Sequence, residues 1–311
     1  MCVFHVSLFG KLQLQTIGEP VYGLENKKAE ELLSYLLIHR DRPHSRERLA
    51  DLLWREISIS QSKNYLRKTI WQLQSGLETM SGSERFRMLI SDGDNWVQIN
   101  PDLDLHLDVA VLENAYSKVR NRLGRELAED EMQAVEGAIA LYRGDLLEGW
   151  YQDWCLYERE RLQYLYLALL DKLMDYCETH KLYENGLTYG EKILRYDRAR
   201  ERTHRRLMRL YYLAGDRTAA LRQYEKCVEA LRDELEVEPA KRTSQLRLMI
   251  QTDQLREAPS QPVETQPLTD QKDPLVRALG YLSVFQESLA NLQEQLIQDI
   301  QAVHNELKHR S

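Results

Sequence analysis

Apolar positions in the first hundred residues alternate in short runs, then switch to helical spacing, then switch back. Val3-Phe4-His5-Val6-Ser7-Leu8 and Lys11-Leu12-Gln13-Leu14-Gln15, and later Met88-Leu89-Ile90 and Trp96-Val97-Gln98-Ile99, read as strands bounded by turn residues. Between them, residues 27–39 place Ala29, Leu32, Leu33, Leu36 and Leu37 on one helical face. After Pro43, Ser45 is a hydroxyl cap candidate for a second helix carrying Leu49, Leu52, Leu53 and Trp54, and a third helix is expected over residues 60–77. From residue 108 to 254 the pattern is helix after helix, punctuated at Arg143-Gly144-Asp145, Glu148-Gly149 and Gly215-Asp216. This part matches itself at an offset of 34 residues: Leu173-Met174 falls on Leu207-Met208, Leu187 on Leu221, and Glu191-Lys192 on Glu225-Lys226. That is the tetratricopeptide period, in which helix pairs stack because no single pair buries its own apolar stripe.

The last part of the chain has a different character. Residues 257–274 hold Pro259, Pro262, Pro267 and Pro274, half of the chain's 8 prolines, and read as a linker. Beyond it Leu275, Leu279, Leu282, Leu289, Leu296, Ile300, Val303 and Leu307 follow steps of four and three, with Gln286 and Gln293 completing the series. A seam of period 3.5 predicts a coiled coil over residues 275–309 and a homo-oligomer, the other outcome being a helix that folds back onto the helical array. The expected domains are therefore 1–101, 108–254 and the segment 275–309, joined by the linker 257–274.

Composition narrows the class. Of 311 residues, 43% are hydrophobic and 29% charged, and the mean hydropathy of −0.56 is that of a soluble globular protein. The longest uncharged apolar run, residues 164–170, is far short of the roughly 18 needed to span a bilayer. The first residues lack a basic n-region and a small-residue cleavage site, so a cytoplasmic protein without membrane contact is expected. Cys2, Cys155, Cys177 and Cys227 form no CxxC and have no histidine at ligand spacing, which predicts buried free thiols rather than disulfides or zinc. No phosphate-binding loop, dinucleotide fingerprint, HExxH or GxSxG occurs. Asp153, Glu158 and Glu160 alternate with Arg159 and Arg161, which predicts a solvated, ion-paired helix face rather than an acid-base pair. No enzyme, cofactor or metal is expected.

A net charge of −7 argues against indiscriminate binding to nucleic acid, yet residues 40–72 carry eight basic residues against four acidic. Strands, three helices and a two-strand hairpin are the order of a winged helix-turn-helix, which lays its last helix in the major groove. The fold class expected is α+β: that winged module, an all-α tetratricopeptide-like repeat domain, and a C-terminal helix or coiled coil. On the third helix Leu66, Ile70, Leu73 and Leu77 define the buried side, and 100° per residue puts Asn64, Lys68, Trp71 and Ser75 opposite, flanked by Arg67 and Gln72. Asn and Gln can pair with adenine, Arg and Lys with guanine or phosphate, and Trp can contact a thymine methyl. The DNA-binding candidates are Lys63, Asn64, Arg67, Lys68, Trp71, Gln72 and Ser75, with Asn95 and Trp96 in the wing, and Arg46 and Arg48 as phosphate contacts.

These residues resemble a known family. Leu8-Phe9-Gly10, Lys27, Leu32-Leu33, Tyr35-Leu36-Leu37, Arg46, Leu49, Leu52-Leu53-Trp54 and Leu66-Arg67 are similar to the winged module of SARP-like bacterial transcriptional regulators. Leu141-Tyr142-Arg143-Gly144-Asp145-Leu146-Leu147-Glu148-Gly149, Glu158-Arg159-Glu160-Arg161-Leu162, and residues 219–239 ending in Val237-Glu238-Pro239 resemble the bacterial transcriptional activator domain that follows it. The resemblance implies an activator that binds double-stranded DNA at direct repeats near promoters and recruits RNA polymerase, its helical domain mediating self-association or regulatory contacts. Gln72 and Gln74 stand where the family often has basic residues, and Asn95-Trp96 where it has a Gly-aromatic pair. Because Met1 directly precedes the first strand, control through an attached upstream receiver domain is not expected. The rival reading is a protein-interaction scaffold whose winged domain docks without DNA, and the two glutamines favour it.

Overall fold

The computed structural model describes residues 4–16, 26–81, 88–92 and 95–255; the linker 257–274, the segment 275–309 and Cys2 lie outside them. In chain order the N-terminal elements are β1 (Phe4–Ser7), β2 (Gln13–Thr16), α1 (Lys27–Ile38), β3 (His44–Ser45), α2 (Arg46–Leu53), α3 (Ile59–Ser81), β4 (Leu89–Asp92), β5 (Trp96–Ile99) and β6 (Leu105–Leu107). Phe4 and Val6 alternate inward on β1 as the period-two pattern requires. β1 pairs antiparallel with β2, and on its other edge parallel with β6, aligning Phe4 with Leu105. The second sheet has the order β3-β5-β4.

Two of these strands escape the sequence pattern. β6 is three residues long and pairs with a strand a hundred positions away. β3 is two residues long, and it corrects the reading of Ser45: the serine occupies the N-cap position of α2, but its hydroxyl makes no cap bond, because the residue is held as a strand opposite Trp96. α1, in contrast, is capped by a side chain. Asn26 accepts the Lys28 N–H at 2.9 Å, and its amide donates to Gln72 Oε1 at 3.0 Å, so one residue starts α1 and ties it to α3.

The helical elements that follow are α4 (Asp108–Val119), a short 3-10 turn (Gly124–Glu126), α5 (Glu129–Ala140), α6 (Asp153–Thr179), α7 (Tyr183–Tyr196), α8 (Glu201–Leu213), α9 (Arg217–Leu235) and α10 (Lys241–Gln251). From α6 onward each packs against the next. α7 and α9 begin 34 positions apart, at Tyr183 and Arg217, and the matched pairs Leu173-Met174 and Leu207-Met208 are fully buried. Cys155, Cys177 and Cys227 are free and buried, and burial pushes the Cys177 and Cys227 thiols up to about 11 and about 12. Among the described residues no helix is long and apolar enough to cross a membrane.

Met1–Leu255 forms a single compact unit, and the seam within it is built from the two segments that carry the family resemblance. Gly10 N–H donates to Asp145 O (2.8 Å), Leu147 N–H to Leu8 O (2.9 Å) and Glu148 N–H to Gly10 O (2.6 Å), so the Leu8-Phe9-Gly10 turn and the Asp145-Leu146-Leu147-Glu148 loop are each other's hydrogen-bond partners. Gly10 turns there with φ +88, a conformation open to glycine at no steric cost. Arg159 holds the loop from α6, donating to the carbonyls of Leu146, Leu147 and Trp150, each at 3.0 Å. Asp108, almost wholly buried, accepts from the N–H groups of Leu8 (2.8 Å), Phe9 (2.9 Å) and Val109 (2.7 Å). Burial pushes its carboxyl above the usual range, against the pull of those three donors.

A chain of ion pairs crosses the same seam. Glu113 of α4 takes Arg40 on one oxygen and Arg161 on the other, both at 2.7 Å, and Arg161 also grips Glu158 at 2.6 Å. Glu158 is buried, which corrects the expectation of a solvated face on α6: that face is ion-paired, but its inner half is an anchor between α4, α6 and the turn after α1. His39, 3.9 Å from Glu158, is held below the usual imidazole range by burial, against the attraction of that carboxylate.

Candidate nucleic-acid interface

The third helix buries the side its pattern prescribes. Leu66, Ile70, Leu73 and Leu77 are all within 4% of complete burial, which turns Asn64, Lys68 and Trp71 to solvent, Trp71 with 66% of its surface exposed.

On one flank of this stripe lies a cleft of about 430 Å³ lined by Ser45, Arg46, Glu47, Lys63, Leu66, Arg67 and Asn95. Four of the sequence-selected residues meet there from three elements. The hairpin is responsible: Asp92 pairs with Trp96 across its turn, Trp96 pairs onward with Ser45, and Asn95 O accepts the N–H of Arg46 at 3.1 Å, so the wing is bonded to the first residue of α2. Lys63 Nζ sits 2.9 Å from Glu47 Oε1, both side chains largely in solvent. Arg48 is exposed on α2 and, among the described residues, makes no ion pair.

The other flank holds a smaller cleft lined by Asn26, Lys28, Trp54, Tyr65, Lys68, Thr69 and Gln72. Sequence reasoning missed Lys28 and Tyr65. Tyr65 is half exposed, and its ring lies 6.1 Å from that of Trp54; an aromatic on the polar side of α3, next to Asn64, was the available signal. Gln72 is half buried and bonded to Asn26, and Gln74 donates to Leu89 O at 3.4 Å. Ser75 and Trp96 are half buried as well. The basic surplus is partly used inside the fold, since Arg40 pairs with Glu113, and Arg55 with Asp153 at 3.6 Å. Arg42, Arg48 and Lys68 remain exposed and outside any ion pair among the described residues. Among those residues no group of histidine, cysteine and carboxylate side chains could hold a metal ion.

Residues 107–251 match the family described as bacterial transcriptional activator domain, joined at β6 to the module that carries the two clefts. That match covers the helical part of the chain, from β6 to the end of α10. The fold of the chain is also that of a solved structure, Mycobacterium tuberculosis EmbR in complex with a low-affinity phosphopeptide, at a TM-score of 0.60 and 19% identity over 82% of this chain. The chain spans 66% of that protein, just under two thirds of its length, and the likeness is one of fold. No curated protein sequence matches the chain.

Proposed function

We propose that the chain is a SARP-like, sequence-specific DNA-binding regulator, its first 101 residues a winged helix-turn-helix with α3 as the reading helix and the β4–β5 hairpin as the wing. The observation that carries this reading is the cleft where Arg46, Lys63, Arg67 and Asn95 converge beside the exposed stripe of Asn64, Lys68 and Trp71. In this reading Asn64, Lys68 and Trp71 meet base edges or sugars in the major groove, while Arg46, Arg48, Lys63 and Arg67 hold phosphates on the side that the wing closes. Gln72 and Ser75 sit at the edge of the contact, where Gln72 keeps α1 in place.

The scaffold alternative drew its support from Gln72 and Gln74. Both now have partners inside the module, so their neutrality has a structural reason. The helical domain, tetratricopeptide-like in this reading, would present the DNA-bound module to RNA polymerase, making the protein an activator that works in the cytoplasm at direct repeats near promoters. The segment 275–309, outside the described residues, would hold the homo-oligomer together as a coiled coil.

Selection from a random DNA pool by the full-length protein at about 0.15 M salt, where nonspecific binding is weak, tests the reading. Enrichment of a motif repeated at a multiple of the helical turn is the expected result; a folded protein that enriches nothing overturns it. Removing residues 275–311 is expected to lower the mass seen by light scattering, and an unchanged mass removes the coiled coil.

A further inference from the structure

A second concavity, of about 580 Å³, lies between α4, the 3-10 turn, α6 and the start of α8, and it shares no residue with the interface described above. Its walls are fixed from within. Gly124 approaches α6 so closely that a Cβ there would stand 2.1 Å from the Lys172 carbonyl oxygen. Lys172 Nζ donates to the carbonyls of Arg120 and Arg122, and the Arg125 N–H donates to Asp175 Oδ2 at 3.0 Å.

The carboxylates on the floor are already neutralised. Asp171 is held by Arg200 at 2.6 Å and by Arg206 at 3.5 Å, and Arg206 also reaches Asp175 at 3.3 Å. The rim is different. Arg120 at the end of α4, Arg125 in the 3-10 turn and Arg202 in the first turn of α8 line the concavity, are exposed, and among the described residues make no ion pair. Against these three cations the rim offers one carboxylate outside the floor pairs, Asp197. Beside them Leu123, 47% exposed, and Tyr164, 64% exposed, form an apolar edge backed by Leu167 and Ala168.

Three arginines brought from separate segments to one mouth, in a chain of net charge −7, are an arrangement for a negative charge, because a guanidinium donates most strongly to carboxylate or phosphate oxygen. The exposed leucine and tyrosine need a second, apolar half. We propose that this concavity is a binding site for a small organic anion, a carboxylate or phosphate carried on an apolar body, with Arg120, Arg125 and Arg202 taking the anion and Leu123 and Tyr164 the body. Its volume lies in the range of roughly 300–1,000 Å³ that such ligands occupy.

Phenyl phosphate carries both halves and serves as the probe, with inorganic phosphate as the control for the anion alone, titrated calorimetrically into the full chain at about 0.15 M salt. Saturable binding is expected, at least about tenfold tighter for phenyl phosphate than for inorganic phosphate. Arg120→Ala/Arg202→Ala should weaken it about tenfold or more, and Lys63→Ala/Arg67→Ala should leave it alone. If the double variant at the concavity melts early, Arg202→Gln by itself carries the same expectation. No saturable heat, equal affinity for the two probes, or affinity lost in the Lys63/Arg67 variant and kept in the Arg120/Arg202 variant would overturn the proposal. No DNA is present in these titrations, so their outcome and that of the DNA selection are independent.

Discussion

Glu47→Gln offers the sharpest test of the cleft. Glu47 and Lys63 are exposed and 2.9 Å apart, and an exposed pair of this kind contributes about 0–1 kcal/mol to stability, so the variant should melt with the parent. Its effect on DNA should be measurable as a change in affinity. A phosphate held by Lys63 would lie about 6 Å from the carboxylate, where repulsion in water is about 0.7 kcal/mol, or roughly threefold in Kd. Removing the Glu47 charge that offsets Lys63 in the parent also steepens the dependence of log K on log salt by up to about 0.9, which between about 0.05 and 0.2 M salt is roughly a 3.5-fold larger loss. Anisotropy titrations of a labelled duplex carrying the selected motif should therefore show Glu47→Gln binding about threefold tighter than the parent at low salt, and equally at about 0.2 M. Equal or weaker binding at low salt by a folded variant would show that no phosphate approaches this cleft.

Other outcomes follow from single side chains. Trp71→Ala, at a position 66% exposed, should shift stability by less than about 0.5 kcal/mol yet weaken DNA binding about tenfold in the same titration, and unchanged affinity would remove Trp71 from the contact. Gly124→Ala sets a methyl group against the Lys172 backbone carbonyl, and should cost about 3 kcal/mol, seen by calorimetry as a loss of roughly 6–12 °C in Tm. His204 is buried between Gln223 and the Arg198 carbonyl, and burial holds it below its ordinary value of 6.5. The unfolded chain therefore takes up this proton first: the stability is complete above pH 6.5 and falls as the pH drops through it towards the lower folded-state value, by up to about 1.4 kcal/mol at pH 5.5. Denaturant melts of His204→Gln at pH 7.5 and 5.5 should show a gap smaller by that amount.

What the linear pattern carried was whatever repeats locally. Leu66, Ile70, Leu73 and Leu77 recur at helical spacing, and that alone determined which side of α3 is buried and, by subtraction, that Asn64, Lys68 and Trp71 face out. The strand alternation at Phe4 and Val6, the span of α1 and the 34-residue offset between α7 and α9 were legible for the same reason: each is a period, and a period needs no knowledge of what packs against it.

Tertiary structure decided everything that depends on partners far apart in the chain. Ser45 is a strand residue because Trp96 is opposite it, and this pairing is what brings Arg46 to Asn95 and makes a cleft of residues that the sequence could only name separately. Glu158 looked solvated because its neighbours are charged, and is buried because Arg161 of its own helix, Glu113 of α4 and Arg40 of the turn after α1 close over it. The Leu8-Phe9-Gly10 and Asp145-Leu146-Leu147-Glu148 segments stood out in the sequence only as points of resemblance, and that they hydrogen-bond to each other appears only when β1 and the loop after α5 meet. The three arginines at the second concavity belong to the same class. A charged side chain follows no period, so only the fold can say whether its neighbours are water, a carboxylate or one another.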